Sequence, residues 1–171
     1  MRRLLLLRHA KAEPPSVGDD FDRELTERGR ADAQRIGEWM AVADMVPDHA
    51  IYSGSARTKA TFEIVANAMP RAFVAKQENA LYEATRPLIL ALLRDLPANS
   101  RASLVVGHNP GMADIANLLT GEGAESERLR MASKFPTCAL AVIDFDQGDW
   151  KRIGPRAGKL ERFVTPGEIS R

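Results

Sequence analysis

The stretch Leu4-Leu5-Leu6-Leu7-Arg8-His9 decides how this chain folds. An unbroken run of leucines, with no alternation, suits a strand buried on both faces at the centre of a parallel sheet. The run ends on a guanidinium and an imidazole, which therefore fall at the strand's carboxyl end. Two later segments repeat the pattern. Ala50-Ile51-Tyr52-Ser53 reads as a short strand feeding a helix from Ser55 to Ala68, with Phe62, Val65 and Ala66 among its apolar positions. Ala102-Ser103-Leu104-Val105-Val106 reads as another buried strand, and Gly107-His108-Asn109-Pro110-Gly111 leads from it into a helix from Met112 to Thr120.

The intervening segments fit the same scheme. After a polar loop holding Pro14, Pro15, Gly18, Asp19 and Asp20, Thr26 is placed to cap a long helix with an apolar stripe of Ala33, Ile36, Gly37, Met40 and Ala43. Trp39 on that helix is read as packing. A short strand near Phe73-Val74 and the segment Ala80-Leu81-Tyr82-Glu83 precede a helix with Leu88, Leu92 and Leu93 on one side. Gly121 to Ser133 reads as a polar surface connection. Thr137 to Phe145 and Gly148 to Ile153 read as a closing hairpin around Asp146-Gln147-Gly148, and Pro155 to Arg171 as a tail packing back through Leu160, Phe163 and Val164. The alternation implies an α/β fold: a three-layer sandwich with a mostly parallel central sheet flanked by helices and a closing C-terminal hairpin. In such sheets ligands bind beyond the carboxyl ends of the strands, which is where the polar clusters lie.

One domain, residues 1–171, is expected, because a chain of 171 residues can bury a core without disulfides or metal. With 44% hydrophobic and 27% charged residues the composition is that of an ordinary globular protein, so function has to be read from sites. Lys and Arg number 24 against 23 Asp and Glu, and the net charge of +1 supplies no basic field for nucleic acid. Cys138, in the apolar run Cys138 to Ile143, reads as a buried structural thiol, with no disulfide framework or cysteine zinc site possible within one chain. The leucines after Met1-Arg2-Arg3 are too few for a signal peptide, and no stretch reaches bilayer length. A cytoplasmic location, no membrane partner and a monomer are expected.

A phosphoryl group calls for positive charge and hydrogen-bond donors, and a covalent route calls for a nucleophile that leaves a labile bond. Arg8 and Arg57 supply guanidiniums whose planar forks match phosphate oxygens, while His9 and His108 supply imidazoles. All four follow predicted strands, and the helix beginning near Ser55 adds backbone N–H donors. Ser53, where its strand ends, is a further candidate for the pocket. His49 falls at the opposite end of that strand and is read as structural. Lys11 and Lys59 are either ordinary solvated lysines or a positive rim for an acidic phosphoprotein.

With these residues in place the chain resembles the histidine phosphatase superfamily, the phosphoglycerate-mutase-like group. That family's Arg-His-Gly pattern is similar to Leu7-Arg8-His9-Ala10. Its Ser-Pro-x-x-Arg-Ala-x-x-Thr pattern is similar to Ser53-Gly54-Ser55-Ala56-Arg57-Thr58-Lys59-Ala60-Thr61, and its Gly-His-Asn/Ser pattern to Gly107-His108-Asn109. The short length, Arg8-His9-Ala10-Lys11-Ala12 and the Arg23-x-Leu25-Thr26-x-x-Gly29 segment look most like the SixA-type phosphohistidine phosphatases. The chain departs from the pattern at Ala10 for glycine, Gly54 for proline and Thr58 for alanine.

The resemblance implies that His9 is phosphorylated, that Arg8, Arg57 and His108 hold the phosphoryl oxygens, and that water then releases phosphate, with no metal or other cofactor. Asn109 joins the phosphate-binding candidates through the Gly-His-Asn pattern. Larger members use an acid to protonate the leaving group, and Glu83, in Leu81-Tyr82-Glu83-Ala84, is the candidate for it here. A phosphoramidate can be protonated on its own nitrogen and needs a weaker acid, which favours phosphohistidine. The expected activity is hydrolysis of phosphohistidine on a phosphotransfer or signalling protein. The alternatives are a small-molecule phosphomonoesterase and an inactive phosphate-binding adaptor.

Overall fold

The computed structural model describes residues 1–16 and 18–169. The leucine run becomes β1 (Arg2–Arg8), in which Leu4 to Leu7 have no solvent exposure. Leu4 and Leu6 join one apolar cluster and Leu5 and Leu7 another, so successive side chains serve opposite faces of one sheet. Each such leucine stabilises the fold by about 1.5–3 kcal/mol relative to leaving it exposed.

β1 lies mid-sheet. It pairs in parallel with β4 (Ala102–Gly107), β4 with β2 (His49–Tyr52), and β2 with β3 (Val74–Gln77). On its other side β1 pairs antiparallel with β6 (Leu140–Phe145), which is followed by β7 (Gly158–Val164) and, at the edge, β5 (Thr120–Gly123). The order is β3-β2-β4-β1-β6-β7-β5, and among the described strands only β6 runs against the rest. The sheet is therefore mostly parallel, as expected.

Helices cover both faces. α1 (Glu27–Val42), α2 (Ala56–Asn67) and the short α6 (Pro166–Ile169) pack on the side of Leu5 and Leu7. α3 (Arg86–Arg94), α4 (Gly111–Leu119) and α5 (Glu125–Ser133) pack on the side of Leu4 and Leu6. Thr26 caps α1 as expected, its Oγ1 accepting from the Gly29 N–H at 2.9 Å. The Thr26 N–H and hydroxyl both donate to the Lys11 carbonyl. Any Cβ on Gly29 would stand 2.1 Å from that carbonyl, so glycine lets the segment just after His9 press onto the helix. Among the described residues no helix is long and apolar enough to cross a membrane.

Several expectations need correction. Gly121 to Ser133 is not a surface connection: it holds most of edge strand β5 and all of α5, which buries Met131. The closing hairpin exists, but β6 pairs with β7, the expected tail, because Trp150 is buried in a 3-10 turn spanning Trp150–Arg152. The last two residues of that tail, Ser170 and Arg171, lie outside the described residues. On α3 the buried face is Ile89 and Leu93, while Leu88 is 42% exposed.

Candidate active site

The ends of β2, β4 and β1 lie side by side, since Arg8 is in register with Gly107 and Tyr52 with Val106. The ladder continues one residue further on both sides, from the His9 N–H to the Gly107 carbonyl at 3.0 Å and from the Ser53 N–H to the Val106 carbonyl at 3.1 Å. His9 and Ser53 are thereby fixed by backbone pairing, and His108 directly follows the paired Gly107. Both imidazoles are buried, His9 to 7% exposure, with ring centroids 5.3 Å apart.

The hydrogen bonds assign a tautomer to each ring. His9 Nδ1 lies 2.7 Å from the Ala10 carbonyl, which can only accept, so the proton sits on Nδ1 and the lone pair on Nε2. Arg57, which can only donate, approaches His108 Nδ1 at 3.4 Å, leaving the His108 proton on Nε2, which donates to Ser53 Oγ at 2.8 Å. Burial, reinforced by His108, Arg57 and Arg8, pushes the His9 pKa down to about 3. Burial and then Arg57 push His108 down to about 4. Both rings are therefore neutral at physiological pH, and His9 presents an unprotonated Nε2.

Arg57 lies in the first turn of α2, after the buried cap residue Ser55. Thr61, one turn on, accepts from the Ala10 N–H at 3.0 Å and donates to the Arg57 carbonyl at 2.8 Å, tying this helix to the segment after His9. Arg8 donates to the Phe135 carbonyl at 3.0 Å. Its guanidinium is held below its ordinary pKa by burial and then by the charge of Arg57. The Nε atoms of Arg8 and Arg57 are buried and have no hydrogen-bond partner among the described residues. Two desolvated cationic donors without acceptors are costly in isolation, by about 1–3 kcal/mol each, and an oxyanion relieves that cost.

Not every expected site residue joins this set. Ser53 and His108 are in direct contact. Asn109 donates to the Phe135 carbonyl at 2.8 Å and accepts from the Ala113 N–H at 3.2 Å, so its amide is engaged in holding the carbonyl that also anchors Arg8. Glu83 is exposed, at backbone φ 56°, and among the described residues its carboxylate makes no hydrogen bond or ion pair.

The carboxylate that does reach the cluster is Asp20, from the polar loop after Pro14 and Pro15, which the sequence alone does not connect to the site. Arg57 donates to its carbonyl at 2.8 Å and to Oδ2 at 3.1 Å, Tyr82 donates to Oδ2 at 2.5 Å, and Arg23 donates to Oδ1 at 2.8 Å. The Tyr82 bond, with Arg23 and Arg57, holds the Asp20 carboxyl below the usual carboxylate range, while Asp20 pushes the Tyr82 phenol up to about 12. Asp20 and Tyr82 had one usable signal: each lies in a loop that has to cross the carboxyl edge of the sheet. Among the described residues no group of three or more His, Cys, Asp or Glu is placed to hold a metal ion.

The sequence profile of the histidine phosphatase superfamily (branch 1) matches residues 4–84, the span that carries Arg8, His9 and Arg57. Over nearly the full length, the chain is similar to the proposed phosphohistidine phosphatase SixA from Agrobacterium tumefaciens, with 30% identity, 96% of this chain and 98% of that chain covered, and a TM-score of 0.81. The chain belongs to the histidine phosphatase superfamily. It is also similar to a proposed phosphohistidine phosphatase SixA from Nakamurella multipartitia, at 25% identity, 96% coverage of both chains and a TM-score of 0.82. The fold is shared with the protein histidine phosphatase SixA complexed with tungstate, at 19% identity, 98% and 99% coverage and a TM-score of 0.78.

The protein is thus a phosphatase with a phosphoglycerate-mutase-like fold, and its departures from the superfamily pattern have local explanations. Ala10 is fully buried and is absent from the left-handed backbone positions, so glycine's freedom is not required there. At Gly54 a Cβ would meet Asn79 Oδ1 at 2.2 Å and Gln77 Nε2 at 2.6 Å, two side chains bonded to each other. Thr58 puts a hydroxyl 3.3 Å from His108 Nε2, and the same hydroxyl accepts from Ser55 Oγ at 2.8 Å.

Proposed function

We propose that this phosphatase hydrolyses phosphohistidine on a partner protein through a covalent phospho-His9 intermediate. The observation that carries the reading is the His9 tautomer: a buried neutral imidazole with Nδ1–H on the Ala10 carbonyl and, among the described residues, a free Nε2 beside two guanidiniums with unpartnered Nε–H groups. His9 Nε2 attacks phosphorus, and Arg8, Arg57 and His108 take the phosphoryl oxygens. The departing group carries away the electron pair of the broken bond. Water then attacks phospho-His9, both water protons leave with the phosphate, and Nε2 regains its lone pair.

The acids present support this substrate class. A phosphomonoester releases an alkoxide that needs a proton, and general acid help is typically worth about 10²–10⁴-fold. Asp20, the carboxylate bonded into the cluster, is held ionised and has no proton to give, and Glu83 stays outside the cluster. A protonated phosphoimidazole departs as a neutral ring and needs no acid. The full-length likeness to proposed phosphohistidine phosphatases supports the same choice, and a cytoplasmic phosphotransfer protein is the proposed partner.

The test compares turnover of a phosphohistidine-bearing phosphotransfer domain with a panel of sugar phosphates, nucleotides and phosphoamino acids. The expected result is a kcat/KM for the phosphohistidine protein at least about 100-fold above any monoester. Selective turnover of one monoester with none of phosphohistidine overturns the reading in favour of a small-molecule phosphatase.

A further inference from the structure

Asp20 differs from the rest of the cluster in its position. Its side chain is 44% exposed while His9 is nearly closed off, so the carboxylate stands at the mouth of the pocket and the nucleophile at its floor. Beside it are two half-buried aromatic rings: Phe21 and Tyr82 meet edge to face at 5.0 Å, and Tyr82 meets His108 edge to face at 5.3 Å. The carboxylate has about four acceptor sites, of which Arg23 uses one on Oδ1 and Tyr82 and Arg57 use two on Oδ2. One site on Oδ1 is left. An acceptor with spare capacity and aromatic rings at its side form a receptor for a flat cation that donates an N–H.

We propose that Asp20, with Phe21 and Tyr82, receives the imidazolium ring of the substrate phosphohistidine and is the residue that selects a phosphoramidate over a phosphomonoester. This inference rests on the phosphohistidine reading. The substrate ring carries its phosphoryl group on one nitrogen and a proton on the other, and that N–H donates to Asp20. The carboxylate favours the protonated ring. When the P–N bond breaks, its electron pair returns to the ring nitrogen, and the ring leaves neutral with its N–H still on Asp20. Phosphorus bonds to His9 Nε2, and the positive charge moves from the substrate ring to the His9 ring, whose Nδ1–H stays on the Ala10 carbonyl. The groups facing Asp20 are Arg23 on its own loop, Arg57 on α2, Tyr82 before α3 and, more distantly, His108 after β4. An alcohol leaving group brings no N–H and draws nothing from this acceptor.

Asp20 also holds Arg57, so a loss common to all substrates has to be separated from a selective one. Asp20→Asn keeps the shape and removes the charge, and Tyr82→Phe removes a bond to Asp20 while leaving its charge. Both are made in the full chain, their folding is checked by thermal unfolding, and kcat/KM is measured with phosphoimidazole and with p-nitrophenyl phosphate. In D20N the ratio of phosphoimidazole to p-nitrophenyl phosphate turnover is expected to fall at least about tenfold, as for loss of a hydrogen bond to a charged group. In Y82F it is expected to stay within about threefold. Equal losses on both probes in D20N, no loss on either, or a Y82F ratio collapsing alongside D20N each overturn the proposal. If the unaltered protein hydrolyses p-nitrophenyl phosphate but not phosphoimidazole, the phosphohistidine reading itself fails, and the role of Asp20 falls with it.

Discussion

At the amino ends of β2 and β4, Asp48 accepts from Ser100 Oγ at 2.6 Å and from the Arg101 and Ala102 N–H groups at 2.8 and 3.2 Å. At the carboxyl ends of the same strands, Asp20 accepts from three side chains, those of Arg23, Arg57 and Tyr82. Each end also has a buried histidine beside a serine: His49 in register with Ser103 at one, His108 bonded to Ser53 at the other. The residue types match, and the partners differ. A carboxylate engaged with backbone amides cannot be released without unpairing the chain, whereas one held by guanidinium and phenol groups can share them with an incoming ligand. The unsatisfied atoms differ as well. At the amino end the orphan is Nδ1 of a histidine whose burial depresses its pKa, while at the carboxyl end the orphans are N–H groups of two guanidiniums. The first is a small packing defect, and the second is the proposed site for the phosphoryl oxygens.

Arg57→Ala gives the largest expected effect: a loss of about 10²–10³-fold in kcat/KM, the magnitude of removing one donor from a charged transition state. Steady-state kinetics on phosphoimidazole checks it, and a loss under threefold would erase the contrast between the ends. Acid comes next. His9 and His108 have folded pKa values of about 3 and 4, below the ordinary 6.5, so the unfolded chain binds more protons in that window. Stability is complete above pH 6.5 and falls on acidification at about 1.4 kcal/mol per pH unit for each histidine until its folded pKa is reached. Denaturant unfolding across that range reads the slope, and His108→Gln should remove about half of it near pH 5.

Smaller effects belong to the other end. Asp48→Ala is expected to destabilise by about 1–2 kcal/mol while leaving kcat/KM within about threefold, measured by urea unfolding alongside kinetics. A drop in activity like that of Arg57→Ala, at unchanged stability, would show that the amino end also serves catalysis. His49→Gln is the smallest, with under about 1 kcal/mol and no change in turnover expected.

The parallel half of the fold was legible because burial on both faces leaves a plain mark: unbroken apolar runs at Leu4 to Leu7, followed by Arg8-His9, and at Leu104 to Val106, followed by Gly107-His108. The other half was not. β5 is Thr120-Gly121-Glu122-Gly123, an edge strand with two glycines and a carboxylate, and α5 buries only Met131, so neither carries a periodic apolar signal. The second arm of the hairpin was misplaced because the register between β6 and β7 shifts at Val142/Ile143, which blurs alternation along β7. In the site, Arg8, His9, Arg57 and His108 were visible because each belongs to a local motif at a strand's carboxyl end: Arg8 closes β1, His9 and His108 follow β1 and β4, and Arg57 lies in the first turn of the helix after β2. Asp20 and Tyr82 are 62 residues apart and acquire their role only by meeting across the sheet edge. Ser53, a candidate from its place at a strand end, bonds His108, and Asn109, a candidate from the Gly-His-Asn pattern, bonds the Phe135 and Ala113 backbone.

The buried, neutral His9 is the proposed phosphoryl acceptor, and rapid quench with a ³²P-labelled phosphohistidine protein puts that role to the test. The expected result is a transient label that survives alkali, is lost in acid, and maps by peptide mass spectrometry to His9, with none retained in His9→Ala. Label mapping to another residue, or label and turnover persisting in His9→Ala, would contradict it.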